Sequence, residues 1–118
     1  MKLKEVYWIG SSREDLRRCP EEAKDVLGYA LHLAQAGGKH PDAKPLKGFP
    51  GAGTLEVVQD YRGDTYRAVY TVRFKDAVYV LHTFMKKSKV GIKTPKKDIE
   101  LIKSRLKTAS DHYRENFA

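Results

Sequence analysis

Cysteine is almost missing from this chain. Cys19 stands alone among 118 residues, so no disulfide can close within the chain and no all-cysteine metal site can be built. No apolar run is long enough for a membrane span. The first ten residues, Met1 to Gly10, lack the longer apolar stretch of a secretory leader, and the expected compartment is the cytosol. His32, His40, His82 and His112 do not stand at ligand spacing with cysteine or carboxylates, so neither a metal nor a cofactor is expected. Gly48, Gly51 and Gly53 lack the strand–turn–helix context of a phosphate-binding loop. Internal repeats and low-complexity tracts are also missing.

What is present describes a single domain over residues 1–118. Hydrophobic residues make up 41% and charged residues 32%, which excludes a coiled-coil rod and a wholly disordered chain. A chain of this size buries roughly two-thirds of its unfolded surface and needs no staple to fold. Charge is the more informative quantity. The net charge is +8, and residues 1–42 hold seven basic and seven acidic groups. The whole excess therefore lies in residues 43–118, which favours a polyanionic partner, most often nucleic acid. A merely basic soluble protein is the plainer alternative.

The local patterns predict an order β-α-α-β-β-β-α and an α+β fold with a largely antiparallel sheet packed against helices. Val6, Tyr7, Trp8 and Ile9 read as a first strand. Ser12 and Asp15 resemble a capping box for a short helix ending near Cys19. Pro20 suits the first position of a second helix, whose apolar face is Ala23, Leu27, Ala30, Leu31 and Ala34, ended by Gly37-Gly38. Residues 39–53 carry three prolines and are expected to be irregular. Three strands follow, Thr54–Asp60, Thr65–Phe74 and Ala77–Lys86, with a hairpin loop at Tyr61-Arg62-Gly63-Asp64. Thr94 reads as the N-cap of a last helix with Pro95 at its first position. Its stripe of Ile99, Ile102, Leu106, Ala109 and Tyr113 is expected to pack on the sheet. One sheet face should be covered by helices and the other at least partly open.

Several residues could carry chemistry. Alternation places Arg67, Val69, Thr71 and Arg73 on one side of their strand and Tyr66, Ala68, Tyr70, Val72 and Phe74 on the other. A mid-strand arginine is costly unless it faces water or meets an anion. Arg67 is therefore either a phosphate contact or transition-state stabiliser, or part of a solvated face or a structural ion pair, for example with Glu56. Nine basic and two acidic residues lie between Lys86 and Lys107, close to a helix N-terminus, which together suit an anion. Lys44, Lys47 and Arg62 could rim a groove at the same end of the sheet. His82 reads as a hydrogen-bonded strand residue rather than a general base.

At this point the chain resembles a known family. The segments Lys44-Pro45-Leu46-Lys47-Gly48, Leu55-Glu56-Val57, Tyr66-Arg67-Ala68-Val69-Tyr70, Leu81-His82-Thr83-Phe84-Met85-Lys86-Lys87 and Lys93-Thr94-Pro95 are similar to the phage-derived HigB-like branch of the RelE/ParE toxin superfamily. The resemblance implies a RelE-like microbial RNase-type fold. It also implies a ribosome-dependent endoribonuclease toxin that cuts mRNA, with a cognate helix-turn-helix antitoxin through which alone it would meet operator DNA. By position, Arg67 matches the catalytic arginine of the central strand, and Lys87 a basic residue after the last strand, with Lys86 adjacent. Lys44, Lys47, Arg62, Arg73 and Lys93 would be RNA contacts. Glu56 and Val58 stand where RelE carries lysines, and its tyrosine beyond the last strand has no clear counterpart, the region holding Lys93. An antitoxin is expected to cover the surface around Arg67 and Lys86–Lys97 or its rim. The alternatives are a ParE-like toxin that poisons a protein such as gyrase, and a basic nucleic-acid-binding prophage protein without catalysis.

Overall fold

The hairpin at Tyr61–Asp64 forms as its residues dictate. Arg62 (φ 51°) and Gly63 (φ 87°) both take positive φ, the two-residue turn whose twist matches that of paired strands. Around it the computed structural model describes residues 2–49, 51, 53–87 and 94–117. The elements in chain order are β1 (Glu5–Trp8), α1 (Ser12–Arg17), α2 (Glu21–Gln35), β2 (Lys44–Pro45), β3 (Thr54–Tyr61), β4 (Asp64–Thr71), β5 (Ala77–Lys87) and α3 (Lys96–Phe117). The strands form one five-stranded sheet in the order β1-β5-β4-β3-β2. β1 pairs with β5 in parallel and every other pairing is antiparallel. The sheet is thus mixed, and the expected α+β architecture holds.

Four expectations need correction. The segment 39–53 is not wholly irregular: Lys44 and Pro45 pair with Glu56 and Leu55 of β3. Proline is tolerated there because β2 is an edge strand. Ser12 does not cap α1 from outside but begins it, buried, with its Oγ donating to the Val80 carbonyl at 3.1 Å. Thr94 does not spend its hydroxyl on the helix end but on Glu56. The last correction concerns layers. α1 and α2 cover one face of the sheet and α3 covers the other, so helices lie on both sides.

Alternation along the strands divides the core accordingly. Leu55, Val57, Ala68, Tyr70, Val78 and Val80 pack against Leu16, Leu27, Ala30 and Leu31 of the first two helices. Val69, Tyr79, Leu81 and Phe84 pack against Ile99, Ile102, Leu106, Ala109 and Tyr113 of α3. The stripe read along the last helix is core, as expected. Between Val69 and Tyr70 the β4–β5 register shifts, with Tyr70 opposite Val80 and Val69 opposite His82. Leu81 is the extra residue, a bulge that lets both Leu81 and His82 face α3.

Candidate functional site

Among the described residues, the buried charged side chains lie toward the hairpin end of the α3-facing surface. Arg67 is 1% exposed, a position at which a lone guanidinium would be very costly. Its Nη1 donates to Glu56 Oε2 at 3.4 Å and to Thr94 Oγ1 at 3.4 Å, and its Nε donates to Thr65 Oγ1 at 3.4 Å. Thr94 Oγ1 donates in turn to Glu56 Oε2 at 2.9 Å. The carboxylate, the guanidinium and two hydroxyls therefore form one network. It is drawn from β3, β4 and the residue that leads into α3. Strand period explains the meeting: Glu56 pairs with Val69 and Arg67 with Val58, so Glu56 and Arg67 are diagonal neighbours on one face.

A second buried pair adjoins the first. His82 Nε2 lies 2.8 Å from Asp98 Oδ1, with both side chains largely buried. The His82 ring stacks on Phe84, with centroids 4.5 Å apart. Phe84 is the register partner of Arg67. Arg105 Nη1 donates to the Leu81 carbonyl at 2.9 Å and lies 3.5 Å from His82 Nδ1. The reading of His82 as a hydrogen-bonded strand residue agrees with this geometry.

The other residues singled out in the sequence are not all brought together. Lys86 pairs with Thr65, two residues from Arg67, and shares its face. Lys87 pairs with Asp64 and therefore lies on the opposite face, where its Nζ sits 3.5 Å from Asp64 Oδ1. Side chains of adjacent strand residues point to opposite faces of the sheet. Lys44 is exposed and opposite Glu56, on the site's own face. Arg62 is exposed at the hairpin, over the Tyr61 ring at 5.2 Å. Arg73 lies beyond the other end of β4, where Thr71 meets Thr54, on the order of 20 Å along the strand from Arg67. Lys47 follows Leu46, whose N–H bonds the Thr54 carbonyl, so it too belongs to that far end. Lys44, Lys47 and Arg62 hence do not rim one end of the sheet. Lys93 lies outside the described residues.

Thr65 and Thr94 are site residues that sequence reasoning did not assign, whereas Glu56 was named only as the partner of a structural ion pair with Arg67, and that pairing is present. The available signal was the alternation of β3, which puts Glu56 on the Arg67 face. α1 and β5 border an open cleft of about 440 Å³ lined by Asp15, Arg18, Cys19, Tyr66, Thr83 and Met85, with His82 and Phe84 also in its wall. Burial pushes the Cys19 thiol above its ordinary range, away from the reactive thiolate. Among the described residues no group of three His, Cys, Asp or Glu is placed to hold a metal. Among the same residues no helix is long and apolar enough to cross a membrane.

The structure is an α+β sheet with helices on both faces and a buried arginine–carboxylate network at one end, in a basic chain. Residues 14–107 match the family described as "Phage derived protein Gp49-like (DUF891)", and the chain belongs to that family. It is the phage-derived branch of the RelE toxin superfamily that the ordered segments resemble. Among solved structures, the toxin–antitoxin complex RelBE2 from Mycobacterium tuberculosis is similar over 75% of this chain and 97% of its own. The sequence identity there is 24% and the TM-score 0.44. No curated protein matches the chain.

Proposed function

We propose that the chain is the toxin of a toxin–antitoxin pair, a cytoplasmic endoribonuclease that cuts mRNA on the translating ribosome. The observation that carries this reading is the buried Arg67–Glu56 pair beside Lys86, in a chain whose excess positive charge lies wholly in its second part. RNA cleavage by its own 2′-oxygen needs three things. The 2′-hydroxyl loses a proton, charge on the phosphorane is neutralised, and the 5′-oxygen leaves with a proton. A 2′,3′-cyclic phosphate forms as the P–O5′ bond breaks.

Glu56 is the group suited to take the first proton, being a carboxylate oriented by Thr94 Oγ1 and the Arg67 guanidinium. A guanidinium donates and does not take up a proton, so the role of Arg67 is to stabilise the phosphorane. A scissile phosphate competes with Glu56 for the guanidinium and frees the carboxylate as it binds. Lys86, on the same face, is placed for the phosphate or the leaving oxygen. Lys44 and Arg62 contribute to backbone contact and on-rate. This assignment gives the proton-accepting role to Glu56 and leaves Lys87 outside the site. The partner is a helix-turn-helix antitoxin laid over the Arg67 face or its rim.

Induced expression followed by mapping of mRNA 5′ ends tests the reading. Cleavage within codons that disappears with Glu56→Gln and with Arg67→Ala is the expected result. The burial of Arg67 favours one other reading, a toxin that poisons a protein target with the pair serving only the fold. Growth arrest with intact mRNA would select it.

A further inference from the structure

The His82 side chain touches none of Glu56, Arg67 or Thr94 in the hydrogen bonds of the site, yet its orientation is fixed from three sides. Its flat face rests on Phe84. Its Nδ1 faces Arg105 Nη1 at 3.5 Å, and a guanidinium can only donate, so Nδ1 accepts. With Nδ1 accepting, Nε2 carries the ring proton and donates to Asp98 Oδ1 at 2.8 Å. Arg105 is itself held by the Leu81 carbonyl and, at 3.5 Å, by Ser11 Oγ. Gly10 makes room for it: at φ 59°, a Cβ there would come within 2.7 Å of Arg105 Nη2.

Asp98 stands in the first turn of α3. The Pro95 carbonyl accepts from the Asp98 and Ile99 N–H groups, each at 3.0 Å, so Pro95 and Asp98 move together. Thr94 directly precedes that turn and delivers its hydroxyl to Glu56. A continuous path therefore runs from the β5 bulge through Asp98 and Pro95 to Thr94 and the Glu56–Arg67 pair. We infer that His82 is a positioning residue: by holding Asp98 it sets the start of α3, so that Thr94 orients the Glu56 carboxylate. This rests on the cleavage-site reading above.

The test measures kcat and KM for mRNA cleavage on programmed ribosomes, with melting temperatures alongside. His82→Leu removes the donor to Asp98 and should lower kcat about tenfold to a hundredfold, as misplacement of a reacting group does, with KM little changed. His82→Gln, whose Nε2 still donates, should stay close to the parent. Thr94→Val should resemble H82L, and the H82L/T94V double variant should be no worse than T94V alone, because both act through one contact. Nitrogen NMR should find the His82 proton on Nε2. An H82L or T94V variant with the parent's kcat would overturn the inference, as would H82Q falling as far as H82L, or losses that add. If H82L fails to fold, T94V, H82Q and the tautomer decide it. Arg67→Ala is carried in parallel: if it cleaves as well as the parent, the cleavage-site reading fails, whereas a dead R67A beside an intact H82L sinks only the positioning role.

Discussion

The surface between the sheet and α3 has two ends, filled in opposite ways. Toward β1 it is aromatic. Tyr7 stacks on Tyr79 at 5.3 Å, Phe74 meets Tyr113 at 4.5 Å, and Tyr113 stacks on Phe117 at 4.9 Å. Toward the hairpin it is ionic, with Arg67 on Glu56 and His82 on Asp98. The aromatic end removes large apolar area from water and stabilises the fold directly. The ionic end does not. Desolvating a guanidinium and a carboxylate offsets most of their attraction, and apolar residues of similar volume would hold the sheet as well. A chain that fills one end of an interior for stability and the other at little net gain has a use for the second end. That difference is the physical case for placing function at Arg67 rather than among the rings.

The sharpest way to break the comparison is to make the two ends alike. Arg67→Ala alone strands Glu56 and should cost about 3–5 kcal/mol of stability. The paired change Arg67→Met with Glu56→Leu should leave stability unchanged or raise it by about 1–4 kcal/mol. Both variants should lose mRNA cleavage by roughly a hundred- to a thousandfold, the usual size for one charge-stabilising donor. Urea denaturation and 5′-end mapping provide the two readouts. A double variant that still arrests growth, or one less stable than R67A, would return the pair to the fold.

The aromatic end is easier to read from sequence than the ionic one. The stripe Ile99, Ile102, Leu106, Ala109 and Tyr113 announces its burial by period alone, and the hairpin by Arg62-Gly63. The covering of both sheet faces is not legible, because β4 and β5 alternate between two apolar sets and a helix at the chain's end can dock on either. The two-residue β2 escapes because a pairing that short leaves no pattern around Pro45. Of the site, Arg67 stands out as a mid-strand cation, and its partner Glu56 is visible only as one option. Thr94 is hidden by a stronger local role, the helix cap that Thr-Pro usually signals. Lys86 and Lys87 look like a pair in the sequence although strand alternation separates them.

Alkaline titration sharpens the comparison from the other end. Burial, with the nearby Tyr7, Tyr113 and Glu5 groups adding, pushes Tyr79 up to about 12, and burial pushes Tyr70 up to about 12. Both phenols are favoured neutral in the fold, so their contribution is fully present below pH 10. It falls as the unfolded chain ionises first, and is gone once pH passes the folded value near 12. Each two-unit shift corresponds to about 2–3 kcal/mol. Urea melts from pH 8 to pH 12 should show that decline, and Tyr79→Phe should remove its share of it. An unaltered slope in Y79F would mean that Tyr79 ionises in the fold as freely as in water.

On the α2 side of the sheet Tyr70 offers a control with the opposite sign. Its ring is fully buried, but among the described residues its hydroxyl has no hydrogen-bond partner. An unpaired buried hydroxyl costs about 1–3 kcal/mol, so Tyr70→Phe should be neutral or stabilising by about 1 kcal/mol at pH 7. Differential scanning calorimetry suffices to measure it. A clear loss in melting temperature would show that the hydroxyl is satisfied, for instance by water.

The smallest expected effects separate the two adjacent lysines. Lys87 is 74% exposed on the side chain, and its 3.5 Å approach to Asp64 is a surface pair of the kind worth about 0–1 kcal/mol. Lys87→Ala should not move stability by more than that, and Lys86→Ala is compared with it for the effect on RNA alone. Their effects on RNA should differ, because strand alternation turns Lys86 toward Arg67 and Lys87 toward the α1 side. K86A should lower the slope of log affinity against log salt by about 0.7–0.9, the signature of one fewer phosphate neutralised. K87A should leave the slope nearly unchanged, since its charge is already shared with Asp64 and faces away. Filter binding of a short single-stranded RNA between low and physiological salt resolves the two. Equal slopes for K86A and the parent would remove Lys86 from the site, and a larger change in K87A would mean that RNA runs over the α1 side of the sheet instead.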